Sequence, residues 1–184
     1  ELEEAAAAEL PYDPPALGFL SRLNEAQGFG VLADAFTRLK QDPALRGLRL
    51  RASGGYTSAD RPFMRSQRNK LRRHGAEDAF DVIAGFQRRE RTEFLRSVTV
   101  LSTPARQGEA FGLHLVEAMA LGVPVVQPQT GAYPEIIAAT GGGMLYDPAE
   151  PGALETALRS LLCDPARARE LGSRGRTAVL NGFG

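Results

Sequence analysis

The sequence predicts an α/β fold, a doubly wound parallel sheet of about six strands. Three observations predict it. Short apolar runs alternate with helical patterns along the whole chain, the signature of strands joined by helical crossovers. The length of 184 residues suits one domain with a sizeable core. The stretch from Val98 to Val126 reads strand, loop, helix, strand, which requires a parallel crossover. The arrangement expected is Rossmann-like.

Taken in order, Leu17–Leu20 is the first strand and Gly30–Gln41 the first helix, with Val31, Leu32, Ala35, Phe36 and Leu39 on one face. Leu48–Ala52 is the next strand and Arg61–His74 the next helix. Asp81–Ala84 and Arg89–Ser97 repeat the alternation, followed by the strand Val98–Ser102, which ends at Thr103-Pro104. From Phe111 to Leu121 the apolar residues Phe111, Leu115, Ala118, Met119 and Leu121 fit a helical period better than alternation. Gly122 suits a helix stop, and Pro124 forbids continuation. Val123–Gln127 and Gly143–Tyr146 are strands, Tyr133–Ala139 a helix. Pro151–Cys163 and Pro165–Leu180 are the last helices, with Asp147-Pro148 and Asp164-Pro165 as turn or helix-entry signals.

Bulk properties narrow the function. Lys plus Arg and Asp plus Glu both number 22, so no general polyanion-binding charge is indicated. The basic run Arg61, Arg65, Arg68, Lys70, Arg72, Arg73 lies on a predicted helix and reads first as a solvated face. A nucleic-acid or anionic-membrane surface is the alternative, and the run lacks interleaved aromatics beyond Phe63. No apolar run has membrane-spanning length. The single cysteine, Cys163, permits no internal disulfide and fits a reducing compartment, so a cytoplasmic location is expected.

The chemistry concentrates in the segment from Gly108 to Val126. Ala110-Phe111-Gly112 falls at a loop-to-helix junction. Free backbone N–H groups and the positive end of the helix dipole make an anion site there. Gly112 lets an anion such as a diphosphate approach the backbone. Glu109 precedes the helix beside that position. Glu117, flanked by Val116 and Ala118, needs donors in an apolar setting, and the cis-diol of a ribose is a natural pair. Such a charge-assisted bond contributes about 1.5–3 kcal/mol. As isolated features, the two glutamates would read as a surface carboxylate and a helix-start charge.

The surrounding pattern is similar to that of the retaining, nucleotide-sugar-dependent glycosyltransferases of GT-B fold, family 4 or group 1. It resides in Pro104, Glu109, Phe111-Gly112, Glu117-Ala118-Met119-Ala120, Gly122 and Pro124-Val125-Val126. The loop from Pro104 to Glu109 is one residue longer than the family's commonest form. Gly131-Ala132-Tyr133-Pro134-Glu135-Ile136, the strand around Gly143–Pro148 and the opening Leu17–Leu23 with its Arg22-Leu23 turn extend the resemblance from about Ala16 to the C-terminus.

The resemblance implies a two-domain enzyme of which residues 16–184 are the C-terminal, donor-binding half. Residues 1–15 are then linker: Glu1–Leu10 the tail of the interdomain connection or a short helix, Pro11–Pro15 a stiff link. The chain is expected to be an excised fragment lacking its N-terminal acceptor domain, with no nucleic-acid partner and with membrane association only through that missing domain. It implies an NDP-sugar donor, uridine- or guanosine-type, and hexosyl transfer to a glycan, lipid or small-molecule acceptor. No metal and no other cofactor are expected; helix N–H groups and protein charges stabilise the leaving diphosphate. Glu109 is assigned to the reacting sugar, Glu117 to the ribose, and Phe111, Gly112 and Leu113 to the phosphates. Arg22 matches a diphosphate-binding Arg. The family's Lys five residues later is Gln27 here, which carries no charge, and Arg106 is a candidate to replace it. His114 reads as packing or surface, Ser53-Gly54-Gly55 as a turn or a cleft edge, and Gly141-Gly142-Gly143 as a turn. Two other readings remain: another GT-B enzyme, such as a sugar-nucleotide epimerase or a phosphorylase, and a non-catalytic nucleotide-binding or scaffolding module. Neither Lys40 nor Lys70 has a context suited to the pyridoxal-bearing lysine of a phosphorylase.

Overall fold

The computed structural model describes residues 9–85 and 87–182. Among these described residues six strands form one sheet: β1 (Ala16–Leu20), β2 (Arg49–Ser53), β3 (Phe80–Ile83), β4 (Val100–Leu101), β5 (Val125–Pro128) and β6 (Gly143–Tyr146). All pairings are parallel, in the order β3-β2-β1-β4-β5-β6. This is the doubly wound order, whose crevice opens beyond the carboxyl ends of β1 and β4. β1, at the centre, is buried at all five positions.

Among the described residues, seven α-helices cover the two faces. They are α1 (Phe29–Leu39), α2 (Arg61–Arg73), α3 (Arg88–Arg96), α4 (Leu113–Ala120), α5 (Tyr133–Thr140), α6 (Ala153–Leu162) and α7 (Pro165–Gly182). One core packs α1, α2 and α6 against the sheet through Phe19, Phe29, Phe36, Leu50, Leu71 and Leu158. The other packs α3, α4, α5 and α7 through Phe94, Leu101, Leu115, Met119, Tyr133 and Val179. Strands buried on both faces explain why their sequences are runs of apolar residues rather than alternations.

The expected elements are present, with three kinds of difference. Three 3-10 turns, Pro43–Leu45, Ser58–Asp60 and Glu77–Ala79, were not expected; a single turn carries no amphipathic period to read. Paired β4 is only Val100–Leu101, although Thr99 N–H donates to Ala16 O at 2.7 Å and Ser102 N–H to Gly18 O at 2.9 Å, which extends the ladder on the β1 side. On the β5 side Pro124 has no N–H to give. Finally, α4 starts at Leu113, not at Phe111, because Gly112 is left-handed (φ 57°) and caps the helix.

Of the expected linker, residues 1–8 lie outside the described residues. Leu10 packs against both cores. The Tyr12 hydroxyl donates to Leu161 O at 3.3 Å, and Pro11 O accepts from Thr99 Oγ1.

Candidate functional site

The loops beyond β1, β2, β4 and β5 meet at the carboxyl edge of the sheet. Leu23 N–H donates to Gly55 O at 2.8 Å, joining the β1 and β2 loops in the turn that contains Ser53-Gly54-Gly55. Arg106 N–H donates to Ala26 O at 3.1 Å, joining the β1 and β4 loops. Their approach is closest at Gly28, the left-handed N-cap of α1, where a Cβ would stand 1.8 Å from Pro104 O. Ala132 N–H donates to Glu109 O at 2.9 Å, joining the β4 and β5 loops. The crevice is therefore walled by backbone contacts between four loops distant in sequence.

At its centre is the start of α4. No acceptor among the described residues takes the N–H groups of Phe111, Gly112, Leu113 or His114. These are the unfilled donors of a helix N-terminus, at the positive end of its dipole. Phe111 and Leu113 are exposed, at 79% and 68%. Glu117 lies one turn beyond Leu113 on the same helix face, about 6 Å along the axis. Glu109 is half-buried, and its carboxylate makes no hydrogen bond or ion pair among the described residues. Burial first, and then the Glu109 charge, push the Tyr133 phenol far up.

Glu117 has a partner that the local sequence does not reveal. Arg91, on α3, donates through Nη2 to Glu117 Oε2. Their side chains are 35% and 37% exposed, so the pair meets solvent. Arg91 Nε is buried without an acceptor. Behind the pair, His114 is buried and packs edge-on against the Tyr133 ring, 6.1 Å between centroids. Burial, and secondarily Arg91, push its imidazole down to about 4, so it is neutral at pH 7. Of the two expected readings of His114, packing or surface, its burial fits packing and not surface.

The other site residues are placed differently. Arg22 is bound rather than free: Nε donates to Asp60 Oδ2 at 2.9 Å and Nη2 to Thr57 Oγ1 at 3.0 Å. The Thr57 backbone N–H, the Thr57 hydroxyl and then Arg22 hold the Asp60 carboxyl below the usual range. Gln27 accepts at Oε1 from Ser21 Oγ at 3.1 Å, and its N–H donates to Asn24 Oδ1 at 2.9 Å. Arg106 pairs with Glu25 at 3.2 Å. It lines a cleft of about 370 Å³ at the same carboxyl edge, between α1, α6 and the β4 and β5 loops, with Asp34, Arg38, Thr130 and Glu155. None of the other expected site residues lines that cleft. Three or more His, Cys, Asp or Glu able to hold a metal ion together do not occur among the described residues.

Among the described residues, no helix is long and apolar enough to cross a membrane.

Comparison with known proteins identifies the architecture. The family model for glycosyl transferases group 1 matches residues 2–178. The chain is 30% identical over 170 residues to a D-inositol 3-phosphate glycosyltransferase of Xylanimonas cellulosilytica, covering 92% of this chain and 39% of the relative. It therefore spans about two-fifths of that relative's length. The crystal structure of the C-terminal domain of a group 1 family protein, LpcC, from Francisella tularensis superposes with a TM-score of 0.85 at 19% identity, covering 98% of this chain and 96% of that one. Anabaena HepE, solved in complex with UDP and glucose, superposes with a TM-score of 0.80 at 21% identity, covering 92% of this chain and 44% of that one. The six-stranded parallel sheet is that of a GT-B C-terminal domain, and the chain belongs to the group 1 glycosyl transferases.

Proposed function

We propose that residues 16–184 bind the nucleoside diphosphate of an NDP-sugar donor at the start of α4, as the donor half of a retaining hexosyltransferase. The observation that carries this reading is the open N-terminus of α4 with Glu117 one turn behind it on the same face. The free N–H groups of Phe111, Gly112 and Leu113 suit the diphosphate, and the Glu117 carboxylate suits the ribose diol. Glu109, half-buried at the crevice with no hydrogen-bond or ion-pair partner among the described residues, takes the reacting sugar. Arg22 and Gln27 complete the phosphate side from the β1 loop, with the Arg22 guanidinium held by Asp60 and Thr57. Oriented N–H groups stabilise the departing diphosphate without reorganising.

The solved neighbour holding UDP supports a uridine-type donor. The acceptor is supplied by an N-terminal domain outside this chain. Titration of the chain by calorimetry with UDP, GDP and ADP tests the donor reading. Binding of at least one is expected, and failure of all three at millimolar concentration overturns it. Glu117→Ala should weaken binding; equal affinity would remove Glu117 from the ribose.

A further inference from the structure

The outer face of α2 carries charge that the donor site does not use. Between Arg61 and Arg73 the helix has six cationic side chains and no acidic one, in a chain of zero formal net charge. Three of the six are engaged. The Arg68 guanidinium lies over the Phe80 ring at 5.2 Å, Lys70 pairs with Asp34 at 2.6 Å and Arg72 with Glu77 at 2.6 Å. The remaining three, Arg61, Arg65 and Arg73, are exposed and have no partner among the described residues. Arg61, Arg65 and Arg72 share one stripe of the helix, with Arg73 beside its far end, about 18 Å in all. Like charges at this spacing repel one another, so the stripe costs stability unless an outside anion offsets it.

We infer that this face docks on an anionic lipid surface. Its exposed residues Arg61, Pro62, Arg65, Ser66, Asn69, Arg72 and Arg73 include nothing apolar enough to insert, so the contact is electrostatic and peripheral. Phe63, the only aromatic on α2, packs inward against Gly30, and no row of stacking rings serves nucleic-acid bases. The exposed Tyr56 at the helix entrance suits a headgroup layer, being apolar in body and polar at its tip. The same end of α2 follows Thr57 and Asp60, which hold Arg22. Docking along α2 therefore brings the crevice rim to the bilayer, within reach of a lipid-borne substrate.

Co-sedimentation of the 184-residue chain with vesicles tests this. Phosphatidylcholine vesicles containing about one-third phosphatidylglycerol should retain the chain at ~0.1 M salt and release it as salt rises; pure phosphatidylcholine should not retain it. Arg61→Gln/Arg65→Gln/Arg73→Gln should bind about a hundredfold more weakly. The corresponding triple Lys variant should stay within about threefold of the parent, which separates lost charge from lost folding. Arg167→Gln/Arg169→Gln, on α7, should not change binding. Equal retention by uncharged vesicles or by the triple Gln variant overturns the proposal. So does a duplex DNA that displaces the chain from the vesicles at equal phosphate concentration, which would make the face a nucleic-acid surface.

Discussion

Arg91 shows how a side chain from another helix positions one carboxylate. Arg91 approaches Glu117 from a different helix and aims its Oε2, leaving Oε1 for another donor. Arg91→Met should therefore weaken nucleotide binding about tenfold, the contribution of a charge-assisted bond reduced by its partial exposure. It should also lessen the discrimination between ribose and 2′-deoxyribose nucleotides, both read by calorimetry; a loss of affinity with discrimination unchanged would mean that Arg91 only supports the fold. His114 makes a separate prediction in stability. Its folded pKa, about 4, lies below the 6.5 of the unfolded chain. The unfolded state then binds more protons between these values, so stability is full above about pH 6.5 and falls as pH drops toward 4, by up to about 3 kcal/mol. Denaturant unfolding of His114→Gln across this range should show a flatter pH slope than the parent. The placement of Glu109 and Gly112 at a helix start was legible in the sequence, since it follows from local spacing. Arg91 was not: it lies 26 residues from Glu117, and no local period links them. Nor was the engagement of Arg22 by Asp60, 38 residues away.

At the scale of elements, α4 is held by what packs behind it. Helix α7 crosses α4 so closely that a Cβ on Gly172 would stand 1.9 Å from Gly122 O, at the end of α4. Gly172→Ala gains helix propensity of about 1 kcal/mol but forces two backbones apart. The clash should win, lowering Tm by roughly 3–10 °C in a thermal melt. Gly182→Ala, with nothing within 4 Å of the added atom, should lower it by less than about 1 °C. Helix periods read from sequence located every α-helix to within two residues at each end. The two-residue error at the start of α4 has a backbone cause, because Phe111 continues the apolar period while left-handed Gly112 breaks the helix.

For the whole molecule, the strand order brings four loops to one edge and leaves the crevice open toward whatever faces it. Exposed Phe111 and Leu113 at that opening are the apolar surface a donor or a facing domain would cover. The chain alone should bind nucleoside diphosphate yet transfer no sugar, if the acceptor is supplied from outside it as proposed. Incubation with UDP-sugar and with GDP-sugar should release free nucleotide no faster than buffer does. Rapid release by this chain would mean that both halves of the chemistry reside in it. The division into linker and donor domain rests on the same reading.

The sequence by itself determined the alternation of strands and helices, the open start of α4 and the family. These depend on residue type at fixed local spacing, where backbone geometry alone sets which side chains share a face. Only the tertiary structure decided that Glu117 is aimed by Arg91, that Arg22 is tied to Thr57 and Asp60, that Arg106 pairs with Glu25 and that three arginines of α2 stand unpaired among the described residues. Each of these depends on which helices and loops the sheet order sets side by side, and contacts across long loop closures leave no period in the chain.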